Sequence, residues 1–240
     1  MIFDQSEYDV RCEWGEEGLS RLAPVSDVVI IVDVLSFSTA VDIAVSRGAL
    51  VYPYCWQDSS VDEFARSAGA EVARKQNERG YSLSPASLEN LPPGTRLVLP
   101  SPNGSHLSWL ADGRLTMAGC LRNCYAVAEA AEANGKQVAV IPAGERWDSG
   151  RLRPCLEDLA GAGAIISRLR GTRSPEADVA VAVFERVRAT LTESVLACAS
   201  GKEKAARGEQ KDVRLATDLN ASRSVPVLVD GAYRDAAPGA

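Results

Sequence analysis

The sequence predicts an α/β protein of three layers, α/β/α, built around a parallel or mixed central sheet. Short apolar runs alternate along the chain with segments whose apolar residues recur at helical spacing, which is typical of strands joined by helices. The first run, residues 28–32 (VVIIV), is continuously apolar, as in a strand buried on both faces. Because no repeat or break in composition divides the chain, we expect residues 1–240 to form a single domain.

The predicted elements follow one another in a regular order. Strands are expected over residues 28–33, 49–54, 96–99, 115–118, 137–142 and 225–229, each an apolar run bounded by polar residues, glycine or proline. Helices are expected over residues 36–48, 59–75, 103 onwards, 123–133, 157–169 and 177–200. In the first of them, Val41, Ala44 and Val45 fall on one face and Gly48 closes the segment. Residues 80–94 and 143–154 are expected to be loops.

The last third of the chain carries three distinctive segments. The helix over 157–169 has small residues on one face, which permits close packing: Ala160, Gly161, Gly163 and Ala164. Residues 177–200 are expected to form one long amphipathic helix, since Val179, Val183 and Val187 begin an apolar stripe at every fourth residue. The charged residues 200–210 are expected to form a helical hairpin or a lid.

Composition and charge narrow the classes of function. The formal net charge is −6, which disfavours binding to nucleic acid or to an anionic membrane surface. The N-terminal segment is acidic and lacks the apolar core of a signal peptide, and no run approaches the roughly 18 apolar residues that span a bilayer. We therefore expect a cytoplasmic protein. Its six cysteines lack metal-site spacing and are expected to be free thiols.

Polar side chains gather where the predicted strands end, and this is where open α/β sheets bind ligands. Asp33 ends the first strand, and a carboxylate there could hold a hard cation. Ser38 and Thr39 open the next helix, where free N–H groups could bind an anion. The alternative is that a hydroxyl caps the helix while Asp33 accepts backbone hydrogen bonds.

A second strand ends in the loop Ser101-Pro-Asn-Gly-Ser105, in which Asn103-Gly104 permits a tight turn and Ser105 could cap the following helix. By itself this loop needs no function. His106, the one histidine of the chain, follows it and could give a proton to a leaving group or simply be solvated.

Two further strand ends carry charges. Arg122 and Asn123 precede a helix, and Arg122 could clamp a phosphate with two hydrogen bonds or form an ordinary ion pair. Glu145 follows a glycine at another strand end and could complete a Mg²⁺ site with Asp33. Glu157 and Asp158 lie in a first helical turn, where the helix dipole favours acids in any case. Acids together with hydroxyl- and Arg-bearing loops are what metal-assisted phosphoryl transfer needs.

Five segments in this order resemble the 2-phosphosulfolactate phosphatase family: VIIVDVLSFSTAVDIAVSRGA, LVLPSPNGSHLS, AGCLRNCYAVAEA, IPAGERW with LEDLAGAGAII, and VPVLVDG. The similarity runs from about residue 8 to residue 231. It implies a Mg²⁺-dependent phosphatase of α/β/α fold, a homodimer, acting on 2-phosphosulfolactate in coenzyme M biosynthesis or on related small-molecule phosphate esters of 2-hydroxy acids. The positions that match the family motifs are Asp33, Ser38, Thr39, Asn103, Gly104, Ser105, Glu157 and Asp158.

From the chemistry of these residues we infer a division of roles. Mg²⁺ is expected on Asp33, Glu145 and Asp158, with Asp33, Glu157, Asp158 and Arg122 as catalytic residues. Phosphate is expected on the amides around Ser38–Thr39 and Gly104–Ser105, and Arg146 is a candidate for the substrate carboxylate. Asn123 completes the expected substrate contacts.

Ser36 and His106 depart from the family pattern, which has arginine at both positions. Ser36 remains an expected substrate contact, but each change removes a possible anion contact and puts the sulfonate-bearing substrate in doubt. The rival hypothesis is therefore a family member without activity that binds a small anionic metabolite.

Overall fold

The computed structural model describes residues 2–55, 60–74, 80–111 and 113–236. Within them lie eleven strands: β1 Val10–Cys12, β2 Val28–Val32, β3 Leu50–Tyr54, β4 Glu71–Val72, β5 Arg96–Pro100, β6 Leu115–Gly119, β7 Val138–Pro142, β8 Glu145–Arg146, β9 Leu152–Arg153, β10 Pro226–Val229 and β11 Ala232–Asp235. They also contain eleven α-helices: α1 Gly15–Leu22, α2 Phe37–Ser46, α3 Ser60–Ala68, α4 Pro85–Leu88, α5 Gly104–Leu110, α6 Cys124–Asn134, α7 Leu156–Ile166, α8 Pro175–Val187, α9 Leu191–Ala197, α10 Ala199–Ala206 and α11 Gln210–Ala216.

Nine of the strands form one mixed sheet, in the order β1-β7-β2-β6-β10-β11-β3-β5-β4. The β10–β11 hairpin pairs antiparallel on both sides and joins two parallel groups. Because three successive pairings are antiparallel, β3, β4 and β5 run opposite to β2, β6 and β7. The strands β8 and β9 form a separate small hairpin.

The two parallel groups nevertheless share one functional edge. A backbone N–H at the start of α5, which follows β5, donates to the carboxylate that follows β2. The loop after β5 therefore reaches the end of β2, although the two strands run in opposite directions.

Helices cover both faces of the sheet, so the three-layer α/β/α prediction is confirmed. Along β2, Val28, Ile30 and Val32 pack into the core formed with α6, α7 and α8. Val29 and Ile31 point to the other face and pack against residues of α1 and α5. All five residues of β2 are buried, as a continuously apolar strand requires.

The close packing predicted for the small residues of α7 is confirmed, but Gly161 and Gly163 pack against different neighbours, the end of β2 and α8 respectively. A Cβ atom added at Gly163 would lie 2.6 Å from the carbonyl carbon of Ala180 in α8, and one added at Gly161 would lie 2.7 Å from Val34. Neither position has room for a larger side chain. The close approach brings α7 against the end of β2, where polar residues gather.

The single long helix predicted over residues 177–200 is wrong. The chain instead forms α8, a short 3₁₀ turn at Arg188–Thr190, α9 and α10, with Cys198 in an extended conformation between the last two helices. The buried face begins at Ala177, Ala180 and Phe184, whereas Val179 is exposed. Apolar spacing persists through the breaks, so it could not reveal that the chain turns back over the sheet.

Other differences concern short elements. The elements β1, β4, β8, β9, β11, α1, α4 and α11 were not predicted from the sequence. The helix expected over 59–75 ends at Ala68 and is followed by β4, and residues 59 and 75 lie outside the described residues. All six cysteines are free. No helix in the described part of the chain is both long and apolar enough to cross a membrane.

Candidate active site

A polar cavity of about 240 Å³ opens at the end of β2. Five parts of the chain build its wall: the turn after β2, the segment before α4, the loop after β5, the start of β8, and the helix α10 with the residue that follows it. Its lining comprises Asp33, Leu35, Ser36, Leu83, Ser101, Pro102, Asn103, Glu145, Ser200, Glu203, Lys204 and Arg207. The volume suits a small, strongly polar ligand.

Asp33 is the buried centre of this cavity. Its Oδ1 accepts a hydrogen bond from the Phe37 N–H at 3.2 Å, and its Oδ2 accepts one from the Gly104 N–H at 2.9 Å. A Cβ atom at position 104 would lie 2.6 Å from Phe37 Cγ and 2.8 Å from Asp33 Oδ2. Glycine is therefore needed at 104 because the backbone itself must approach the carboxylate.

The predicted phosphate site is occupied in part by hydrogen bonds within the protein. Of the amides predicted to bind phosphate, that of Gly104 donates to the Asp33 carboxylate. The hydroxyls beside those amides donate to backbone carbonyls: Ser38 to Ile31, Thr39 to Val34, and Ser105 to Leu99. These residues shape the turns around the cavity and do not line it.

Asn103 and Glu145 form the opposite polar wall. Asn103 Nδ2 donates to Glu145 Oε2 at 2.9 Å, which links the loop after β5 to the hairpin after β7. Gly144, at a positive φ of 67°, turns the chain so that Glu145 reaches the cavity. Ser36 also lines it, and its Oγ is buried without a hydrogen-bond partner among the described residues. That hydroxyl is available to a ligand oxygen.

Asp158 and Glu157 are buried behind this wall. Asp158 Oδ1 accepts from the Val34 N–H at 2.7 Å, and Oδ2 accepts from the Gly144 N–H at 2.8 Å. It therefore ties the turn after β2 to the turn after β7. Glu157 Oε2 accepts a hydrogen bond from Cys198 Sγ at 3.3 Å, next to the start of α10. Neither side chain lines the cavity, and the geometry gives both a positioning role.

The acids of the site influence one another. Burial raises the pKa of Asp33 to about 7, and the charges of Glu145 and Glu157 add to this shift, while the two N–H bonds oppose it. Burial, followed by the charges of Asp33 and Glu157, raises the pKa of Asp158. Burial also raises the pKa of Glu145, against the hydrogen bond from Asn103. Carboxyl groups that raise one another's pKa in this way favour a cation among them.

Arg122 and Asn123 lie away from the cavity. Arg122 Nε donates to the buried Asp42 Oδ2 at 2.9 Å, and Nη1 donates to the Leu215 carbonyl at 3.0 Å. Asn123 Oδ1 accepts from the Cys120 N–H at 2.8 Å at the start of α6. The structure thus gives Arg122 the ordinary ion pair that was the alternative to a phosphate clamp, and Asn123 supports its own turn.

Arg146 and His106 are also outside the cavity lining. Arg146 is exposed and donates to the Gly150 carbonyl within the β8–β9 hairpin. His106 Nε2 lies 3.2 Å from Glu16 Oε2 of α1. These placements do not support a carboxylate contact for Arg146 or a proton-donating role for His106.

The cations of the site come from residues 200–210, for which the sequence predicted no role in the site. Lys204 and Arg207 line the cavity, together with Ser200 and Glu203. All four belong to the charged stretch 200–210, which was expected to be a hairpin or lid. The alternating charges were the available signal, but nothing in the spacing showed which strand end the segment would cover.

The carboxylates of the cavity suit a Mg²⁺ ion held by protein and substrate together better than one held by protein ligands alone. Among the described residues, no three His, Cys, Asp or Glu side chains are grouped so as to hold a metal. Of the predicted ligands Asp33, Glu145 and Asp158, the first two line the cavity and Asp158 does not. Mg²⁺ commonly uses one or two carboxylates, with waters and substrate phosphate completing its shell, so Asp33 and Glu145 fit it.

The residues matched in known proteins include this whole site. A family model described as 2-phosphosulpholactate phosphatase matches residues 17–231. The chain is 30% identical over 214 residues to a 2-phosphosulfolactate phosphatase of Methanothermobacter thermautotrophicus, which covers 86% of this chain and 88% of that protein. It is 27% identical over 224 residues to a probable 2-phosphosulfolactate phosphatase of Thermotoga petrophila, with 88% and 95% covered. The family match includes every residue that lines the cavity.

Proposed function

Because the chain belongs to the 2-phosphosulfolactate phosphatase family, we propose that it hydrolyses phosphate monoesters of 2-hydroxy acids in this cavity. The specific reaction proposed is conversion of 2-phosphosulfolactate to sulfolactate and inorganic phosphate. The observation that carries the proposal is the buried carboxyl of Asp33, which faces Glu145 and Asn103 in a small polar cavity with two cations on its rim.

Mg²⁺ belongs to this proposal, with Asp33 and Glu145 as the residues that would hold it. When bound, it would neutralise charge on the transferring phosphoryl group. Asn103 orients Glu145 through its amide, and the two amides at Phe37 and Gly104 fix Asp33. Ser36 offers its hydroxyl to a phosphate oxygen.

The attacking group in this proposal is water. Both Asp33 oxygens accept backbone N–H bonds, which fixes the carboxylate and makes it a poor nucleophile. The new bond forms between the water oxygen and phosphorus, the ester P–O bond breaks, and the leaving alkoxide takes up a proton. The attacking water balances this step, since one of its hydrogens stays on the phosphate product and the other supplies the proton of the released alcohol.

Three further expectations remain proposals on the strength of the family resemblance. They are a homodimeric state, a cytoplasmic location and a place in coenzyme M biosynthesis. Light scattering on the purified chain measures the first, and a monomer at micromolar concentration would contradict it.

The test of function is phosphate release from a panel of 2-hydroxy-acid phosphates, measured with Mg²⁺ and with a chelator. We expect metal-dependent release from 2-phosphosulfolactate or a related ester, and loss of it in Asp33→Asn. Asp148→Asn is the matched control, because Asp148 is exposed and does not line the cavity. Binding of the esters without release of phosphate from any of them would contradict the proposal and favour a binding protein.

A further inference from the structure

The rim of the cavity contributed by α10 has a chemistry that the hydrolytic step does not use. Its charged members are Glu203, Lys204 and Arg207, and Ser36 faces the same cavity from the turn after β2. Among the described residues that line the cavity, Lys204 and Arg207 are the cations. They do not come from the strand ends that carry Asp33, Asn103 and Glu145.

Two carboxylates hold the Lys204 ammonium in place and leave part of its hydrogen-bonding capacity unused. Its Nζ lies 2.8 Å from Glu209 Oε2 and 3.7 Å from Asp212 Oδ2. Asp212 is itself buried and accepts from Ser84 Oγ at 2.7 Å, which anchors the network to the segment before α4. An ammonium has three N–H donors, and two carboxylates leave at least one for the cavity.

Arg207 supplies a second cation of different shape. It follows α10, and its Nη2 bonds Glu203 one turn earlier. A guanidinium has five N–H donors in a planar fork, so this bond leaves donors for a carboxylate or sulfonate. Ser36 adds a buried hydroxyl without a partner among the described residues. Three donors, from the turn after β2 and from α10 with the residue that follows it, thus line the same cavity.

We propose that Ser36, Lys204 and Arg207 form a subsite for an acid group of the substrate other than its phosphate. The inference rests on the proposed phosphatase function and deepens it. It makes α10, together with Ser36, the part of the protein that selects esters carrying a carboxylate or sulfonate. A phosphate ester of the same carbon skeleton without such a group lacks what these donors would recognise.

The charge balance of the cavity supports this selection. Asp33, Glu145 and Glu203 bring three carboxyl groups to a space that must accept an anion. Two cations on one rim favour one orientation of the substrate, with its carboxylate or sulfonate towards α10 and its phosphate towards Asp33. An ester without acid groups gains nothing from that rim.

The test compares three esters of the same skeleton: 2-phosphosulfolactate with two acid groups, 2-phospholactate with one, and isopropyl phosphate with none. For Lys204→Met and Arg207→Gln we expect kcat/KM to fall about 10- to 100-fold with the first ester, mainly through KM, and less than threefold with isopropyl phosphate. Lys202→Met is the matched control, because Lys202 is exposed on the same helix and does not line the cavity. Lys204→Arg should restore most of the loss.

The outcomes separate this inference from the proposed function. Equal losses on all three esters, or no loss on any, would overturn the subsite while leaving the phosphatase intact. If the wild-type chain hydrolyses none of them, the function fails, and the subsite is then judged by sulfolactate binding followed as a shift in melting temperature. Binding that Arg207→Gln weakens supports the subsite, and binding that neither variant changes refutes it. Arg207 is largely exposed, so its variant should fold even where Lys204→Met does not.

Discussion

Replacing Arg122 by leucine should destabilise the protein by about 3–4 kcal/mol at pH 7 without directly altering the cavity. Arg122 is 13% exposed and its partner Asp42 is fully buried, so the change leaves an unpaired carboxylate in the core. Removing one partner of a buried pair typically costs about 3–5 kcal/mol. Burial already raises the pKa of Asp42, opposed by Arg122, and loss of the arginine should raise it further.

The pH sets an upper limit to the electrostatic part of this cost, because Asp42 can take up a proton and become neutral. Protonating an acid with an ordinary pKa of 3.8 at pH 7 costs about 4 kcal/mol, at 1.36 kcal/mol per pH unit. At pH 5 the same limit is below about 2 kcal/mol. The destabilisation by Arg122→Leu should therefore shrink as the pH falls from 7 to 5.

Urea unfolding followed by tryptophan fluorescence at both pH values measures this effect. Arg170→Leu is the control, because Arg170 is 93% exposed in its ion pair with Glu132 and should change stability by less than about 0.5 kcal/mol. A double variant with Asp42→Asn should recover part of the loss, since no charge then remains buried. Arg122→Leu with wild-type stability and lost phosphate release would refute the reasoning and restore Arg122 as a phosphate clamp.

Two further predictions concern the centre of the site. Gly104→Ala should cost about 1–3 kcal/mol and most of the activity, because its Cβ would lie 2.6 Å from Phe37 Cγ and would push the amide away from Asp33; normal unfolding and phosphate release would contradict this. The second prediction follows from the pKa of about 7 for Asp33, above its ordinary 3.8. An acid whose pKa is raised by folding stabilises the folded state most at low pH, and that contribution is lost as pH rises from about 4 through 7. Metal-free protein should therefore lose up to about 4 kcal/mol over this range, and a pH profile of unfolding that Asp33→Asn leaves unchanged would contradict the assignment.

Local sequence was sufficient for the regular elements of the fold. A continuously apolar run rich in β-branched residues, such as β2, is typical of a strand with both faces covered. Glycines at 161 and 163 indicate that their helix packs closely against its neighbours. The break between α8 and α9 could not be predicted, because the apolar stripe continues across it. The reversal of strand direction at β10–β11 also left no local signal, since pairing partners lie far apart in the chain.

For the site, the sequence by itself determined the chemistry of the strand ends. Asp33 after a buried strand, an Asn103-Gly104 loop and Glu145 after a glycine follow from local order, and the structure brings all of them to one cavity. These residues were predictable because a strand end fixes where the next side chain must lie.

The tertiary structure alone decided how the remaining charges are used. Arg122 was predicted at the cavity, yet it is bound to Asp42, while Lys204 and Arg207 reach the cavity from a segment about a hundred residues after Asn103. The physical reason is that an ion pair forms where the folded chain brings opposite charges together. Neither the spacing nor the periodicity of residues along the chain shows which charges will be brought together.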